Sequence, residues 1–187
     1  MTVCKLIIGE FMDYNKIKIV MLDCDGVFTD GIIIYDNSDN ECKNFSAKDG
    51  MGIKLLKLSG IKVALITGRK SNVVLRRCQD LKFDYVYQGI VNKLKIAQEI
   101  IDKENLNWEN VAYMGDDWND YPVIKKAILS AAPADAFQDF KNKVDYVCKR
   151  KGGRGAIREF VNYLLKKQGK YAKVIHEFIH YLENYTG

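Results

Sequence analysis

Apolar and polar positions alternate along the chain in blocks that change period. Ile17-Lys18-Ile19-Val20-Met21-Leu22 is an apolar-rich run that reads as a buried strand, and it stops at Asp23-Cys24-Asp25-Gly26. Ile32-Ile33-Ile34-Tyr35 and Glu41 to Ser46 are β-prone segments on either side of the turn-forming Asp36-Asn37-Ser38-Asp39-Asn40, so a hairpin is expected directly after the acidic turn. Lys48-Asp49-Gly50-Met51-Gly52 then leads into a helix carrying Ile53, Leu55, Leu56 and Leu58, which Gly60 ends.

Strands and helices follow in turn. Strands are predicted over Ile61 to Thr67, Phe83 to Tyr87, Val111 to Met114, Ala127 to Ser130 and Val144 to Val147. Helices are predicted over Ser71 to Leu81, Asn92 to Asp102, Tyr121 to Lys126, Ala136 to Lys143 and Ala156 to Lys167. This alternation predicts an α/β fold, a Rossmann-like and mostly parallel sheet with helices on both faces. Val174, Ile175, Phe178, Ile179 and Leu182 fall at helical spacing, so a further amphipathic helix is expected over about 171–185, outside a core of about 17–170. No linker or repeat divides the 187 residues, and a single domain is expected. Residues 1–16 carry no firm pattern beyond a short helix or an arm.

Composition narrows the class. Lys and Arg number 29 against 24 acids, a formal net charge of +5, which mildly favours anionic ligands without the basic stripe of a nucleic-acid binder. The five cysteines are scattered with no CxxC pair, which argues for reduced thiols and a cytoplasmic protein. No membrane span or signal peptide is expected, because Lys5 and Glu10 interrupt the short apolar stretch near the start. His176 and His180 are four apart on the last helix, but no third metal ligand accompanies them.

The candidate chemistry lies where strands end and a helix begins. Asp23 and Asp25 follow the first strand, Thr67-Gly68-Arg69 the second, Lys93 opens a helix, and Gly115-Asp116-Asp117-Trp118-Asn119-Asp120 follows a later strand. In open α/β sheets ligands bind beyond the carboxyl ends of the strands. Together these groups meet the demands of phosphate-ester hydrolysis. A carboxylate nucleophile splits the reaction into two displacements. A hard cation such as Mg²⁺ is held by carboxylates. A hydroxyl and an ammonium receive the phosphoryl oxygens. A second acid carries the proton to the leaving alcohol. Asp23, Asp116, Thr67, Lys93 and Asp25 fill these roles in that order.

These motifs resemble the haloacid dehalogenase superfamily of phosphohydrolases. DCDGVFTDG, KDGMGI, ITGRKS, Arg77-Cys78, YQGIVNKL, GDDWNDYPV and GGRGAIRE are similar to its 3-deoxy-D-manno-octulosonate 8-phosphate phosphatase subfamily, over roughly Ile17 to Lys170. The resemblance implies Asp23 as nucleophile and Asp25 as general acid/base. It implies Mg²⁺ held by Asp23, the Asp25 carbonyl and Asp116, with Asp120 orienting the metal's water shell, and Thr67 and Lys93 on the phosphoryl group. It also turns Ser46, Ala47, Lys48, Asp49, Gly50, Arg69 and Arg77 toward a sugar acid, whose carboxylate a guanidinium can clamp. Members lack a cap domain and form homotetramers, with the hairpin and a neighbouring chain as lid. Cys24 replaces a more usual aliphatic residue, and the tail beyond Lys170 is longer than the pattern. A nine-carbon ulosonate 9-phosphate phosphatase is the alternative within the enzyme class. A non-enzymatic phospho-receiver module is the alternative outside it; the acid two residues after Asp23 distinguishes it.

Overall fold

The computed structural model describes residues 12–38 and 40–185. Six strands form one parallel sheet: β1 (Ile19–Leu22), β4 (Lys62–Ile66), β5 (Tyr85–Tyr87), β6 (Val111–Met114), β7 (Leu129–Ala132) and β8 (Tyr146–Val147), in the spatial order β5-β4-β1-β6-β7-β8. β1 pairs with β4 on one side (Leu22 opposite Leu65) and with β6 on the other (Leu22 opposite Met114). The chain therefore winds outward from β1 to β5, then returns to build the other half from β6. A crevice opens at that reversal, just beyond the ends of β1 and β6.

Every residue of β1 is buried, which explains why its sequence is a continuous apolar run rather than an alternation. Val20 and Leu22 enter a core on one face, with Ile53, Leu56, Ile157 and Phe160. Ile19 and Met21 enter the core on the other, with Ala97, Ile100, Tyr113 and Phe140. The first layer contains α1 (Ala47–Leu58), α2 (Asn72–Asp80) and α6 (Ala156–Lys167). The second contains α3 (Lys93–Lys103), α4 (Tyr121–Ile124) and α5 (Gln138–Lys141).

Helix α1 starts earlier than expected. Ser46 caps it, its hydroxyl accepting from the Lys48 N–H at 3.2 Å, so Asp49 and Gly50 lie inside the first two turns. The hairpin is present but short: β2 (Ile34–Tyr35) and β3 (Glu41–Cys42) are antiparallel, with Tyr35 opposite Glu41. Its turn is held by the Asp36 carboxylate, which accepts from Ser38 N–H at 2.8 Å and Asn40 N–H at 3.0 Å. The expected turn residue Asp39 lies outside the described residues, as does most of the N-terminal segment; Tyr14–Lys16 form a single 3₁₀ turn.

The expected final helix is α7 (Tyr171–Glu183). It packs on its own chain through buried Val174, and the Lys54 ammonium lies 4.8 Å from the centre of the Phe178 ring. Cys24, Cys78 and Cys148 are buried free thiols and Cys42 is an exposed one. Among the described residues no helix is long and apolar enough to cross a membrane.

Candidate active site

Asp23 is carried to the crevice by β1 and held there by its N–H, which donates to the Met114 carbonyl at 3.0 Å. The chain then turns sharply at Gly26, whose φ of +89° is open to glycine at little cost. A Cβ at that position would stand 2.1 Å from Asp116 Oδ2, so the glycine also lets the second acidic loop close on the first. Gly152 of the later GGRG segment approaches the same turn, where a Cβ would sit 1.7 Å from the Gly26 carbonyl oxygen. That motif buttresses the catalytic turn, a role its sequence alone did not disclose.

Lys93, the first residue of α3, is buried and places its Nζ 2.7 Å from Asp23 Oδ1 and 2.7 Å from Asp120 Oδ1. Asp120 is fully buried. It also accepts from Tyr113 Oη at 2.6 Å and, through Oδ2, from the Asp116 N–H at 3.1 Å. Asp120 thus fixes the lysine and the Asp116 backbone together. The Tyr113 hydroxyl that steadies it came from a strand position that read only as core.

Three carboxylates around one ammonium leave an excess of negative charge. Burial raises the Asp23 carboxyl to about 7, helped by repulsion from Asp120 and opposed by Lys93. Burial likewise raises Asp116 to about 8, with Asp23 and Asp120 adding to it. Carboxylate oxygens of Asp23, Asp116 and Asp120 lie within 4.8 Å of one another. Hard oxygen donors, close together and short of positive charge, fit a divalent cation such as Mg²⁺. The histidine pair of α7 joins no comparable group of three ligands among the described residues.

The cleft over these acids has a volume of about 480 Å³ and is lined by Asp23, Asp25, Thr67, Gly68, Arg69, Asp116, Asp117, Trp118 and Asn119. Thr67 is buried at the end of β4, its N–H donating to the Tyr87 carbonyl at 3.0 Å. The Trp118 indole stands half-exposed at the rim, packed edge-on against Tyr121. Asp25 is partly exposed, with Lys43 Nζ 2.5 Å from its Oδ1 and Arg69 Nε 3.8 Å from its Oδ2. Arg69 also donates to Glu41 Oε1 at 3.3 Å and to the Tyr35 hydroxyl, so the hairpin is tied to the cleft wall.

The residues expected to face a sugar divide into two sets. Arg69 lines the cleft; Ser46, Ala47, Lys48, Asp49, Gly50 and Arg77 lie outside its lining. Asp49 requires correction. Its carboxylate is buried and accepts from the Gly155 N–H and the Arg158 N–H, each at 2.9 Å, so it caps the start of α6 rather than facing the cleft. The adjacent glycines serve close packing. Gly50 lies under the Arg77 guanidinium, with the Nη2 atom 2.7 Å from where a Cβ would be.

Comparison with known proteins places this geometry. A family model described as haloacid dehalogenase-like hydrolase matches residues 85–161. The 3-deoxy-D-manno-octulosonate 8-phosphate phosphatase KdsC of Escherichia coli (strain K12) is 46% identical over 156 residues, 83% of each chain. The chain belongs to the KdsC family. A crystal structure of 3-deoxy-D-manno-octulosonate 8-phosphate phosphatase from Yersinia pestis superposes with a TM-score of 0.83 at 40% identity, covering 85% of this chain and 86% of that one. The enzyme from Moraxella catarrhalis, solved in complex with magnesium ion, phosphate ion and KDO, gives a TM-score of 0.84 at 34% identity, covering 88% and 97%. Membership of the KdsC family removes the receiver-module reading and agrees with the capless, hairpin-bearing fold.

Proposed function

We propose that the chain hydrolyses 3-deoxy-D-manno-octulosonate 8-phosphate to the free sugar acid and inorganic phosphate, with Mg²⁺ as cofactor. The observation that carries this reading is the meeting of Asp23, Asp116 and Lys93 at the ends of β1, β6 and the start of α3, with Asp25 and Thr67 in the same cleft. The relatives' names supply the eight-carbon substrate in preference to a nine-carbon ulosonate.

Asp23 is the nucleophile. Its carboxylate attacks phosphorus while Asp25 gives a proton to the departing sugar oxygen, leaving an aspartyl-phosphate on Asp23. Asp25 then takes a proton from a water that attacks the same phosphorus, and Asp23 is regenerated. Lys93 neutralises charge on Asp23 and on the transferring group, and the Thr67 hydroxyl holds a phosphoryl oxygen. Asp23, Asp116 and the Asp25 carbonyl would hold the cation, with Asp120 behind them; when bound, it screens the acids from the phosphate charge.

Arg69 is the sugar-carboxylate partner within the chain. A homotetramer in which a neighbouring copy completes the lid would bring the exposed members of the set outside the cleft lining, Ala47 and Lys48, to another copy's cleft, whereas Gly50 is buried beneath Arg77. The half-exposed run Ile32 to Tyr35 on the hairpin supplies apolar surface for that contact. Asp23→Asn is expected to abolish phosphate release while circular dichroism and Mg²⁺-free melting stay those of a folded chain. Substantial turnover by that variant with Mg²⁺ present would refute the nucleophile.

A further inference from the structure

Lys43 stands one residue beyond β3, yet its side chain is 0% exposed. A buried ammonium is retained only where ionic partners repay its desolvation. Its partners here are Asp25 Oδ1 at 2.5 Å and Glu41 Oε1 at 3.5 Å. The same Asp25 oxygen lies 3.4 Å from the Thr29 hydroxyl, which is itself 3.4 Å from the Cys24 carbonyl. Oδ1 is therefore held by the hairpin's Lys43, with the Thr29 hydroxyl of the catalytic turn close by. Oδ2 faces the cleft wall, with Arg69 Nε at 3.8 Å, beyond hydrogen-bond reach.

We propose that Lys43 is a positioning residue for proton transfer: by occupying Oδ1 of Asp25 it leaves Oδ2 as the oxygen that exchanges protons with the leaving alcohol and the attacking water. The proposal rests on the reading of Asp25 as general acid/base. In the first displacement the Asp23–phosphorus bond forms, the ester P–O bond breaks, and the proton on Oδ2 passes to the sugar oxygen. In the second, the water oxygen bonds to phosphorus, its proton passes to Oδ2, and the acyl-phosphate P–O bond breaks. Oδ1 accepts from Lys43 throughout, so the carboxyl does not rotate between the half-reactions. The hairpin is thereby part of the proton-transfer apparatus as well as a cover.

Leaving-group dependence separates this role from simple anchoring of the hairpin. A sugar alkoxide needs its proton, whereas a p-nitrophenolate departs without one. Lys43→Met is expected to lower kcat/KM, which reads only the steps through departure of the alcohol, by roughly 100-fold on the sugar-acid phosphate and by less than about 3-fold on p-nitrophenyl phosphate. Lys43→Arg should restore most of the lost rate. Lys43→Gln, which keeps a neutral donor one bond shorter, should show the same split in weaker form and serves if the methionine variant does not fold. Equal loss on both substrates, or a change confined to KM, would overturn the proposal. Asp25→Asn provides the reference: if it shows no preference for the aryl ester, the acid/base reading itself fails. If it shows the preference and the Lys43 variants do not, only the positioning role fails.

Discussion

Burial raises the Asp23 carboxyl to about 7 and the Asp116 carboxyl to about 8, with Lys93 the one cation pulling them back. An aspartate in the unfolded chain ionises near about 3.9, so between that value and the raised ones the metal-free fold binds protons that the unfolded chain has released. These two acids therefore contribute stability to the metal-free protein that is fully present below the unfolded value and is lost as pH rises through about 7 and 8. Mg²⁺ competes with those protons, so the thermal stabilisation it gives should be larger at about pH 8.5 than at about pH 6. An equal shift at both, by scanning calorimetry with saturating Mg²⁺ and with chelator, would contradict a cation held by these acids. The sequence made Asp23, Asp25, Thr67, Lys93 and Asp116 legible because each ends a strand or opens a helix. Lys43 and Tyr113 were not: a lysine beside a turn reads as solvated, and a tyrosine in an apolar strand reads as core. Their roles depend on contacts with Asp25, 18 residues away in sequence for Lys43, and with Asp120, 7 away for Tyr113.

At the level of elements, the cleft exists because β1 is central and the winding reverses between it and β6. That much follows from the order of apolar runs, which also predicted both helical layers. The start of α1 was misplaced because KDGMG reads as a loop; in the fold those glycines let helices approach, and Gly52 lies where a Cβ would be 3.0 Å from Arg158 Cα. Asp49 then caps α6 across the layer. Asp49→Ala should cost about 1–3 kcal/mol in urea unfolding, from the backbone donors left without a partner. A neutral effect on stability with a specific loss of sugar binding would restore the sugar-facing role. Gly26→Ala carries both an unfavourable backbone angle and the approach of Asp116, and is expected to weaken Mg²⁺ binding and stability together. Retained Mg²⁺ affinity, by isothermal titration, would mean that the two acidic loops need not close so tightly.

For the whole molecule, the half-exposed run Ile32 to Tyr35 on the hairpin is apolar surface that the proposed assembly would cover. Light scattering should report a tetramer, and Ile33→Lys on the hairpin should yield smaller species with lower kcat/KM. A fully active monomer would contradict the shared lid. The exposure of Ile32 to Tyr35 was the least legible feature, because an apolar run in an expected hairpin does not say whether the chain's own core covers it. Only the short pairing of β2 with β3 leaves them at the surface. Chemistry comes before assembly in what the fold achieves: a carboxylate of the protein receives the phosphoryl group before water does. Its most direct test is the stereochemical course at phosphorus, measured with a substrate made chiral by oxygen isotopes. Two in-line displacements through Asp23 predict net retention of configuration, and net inversion, the mark of direct attack by water, would contradict the account.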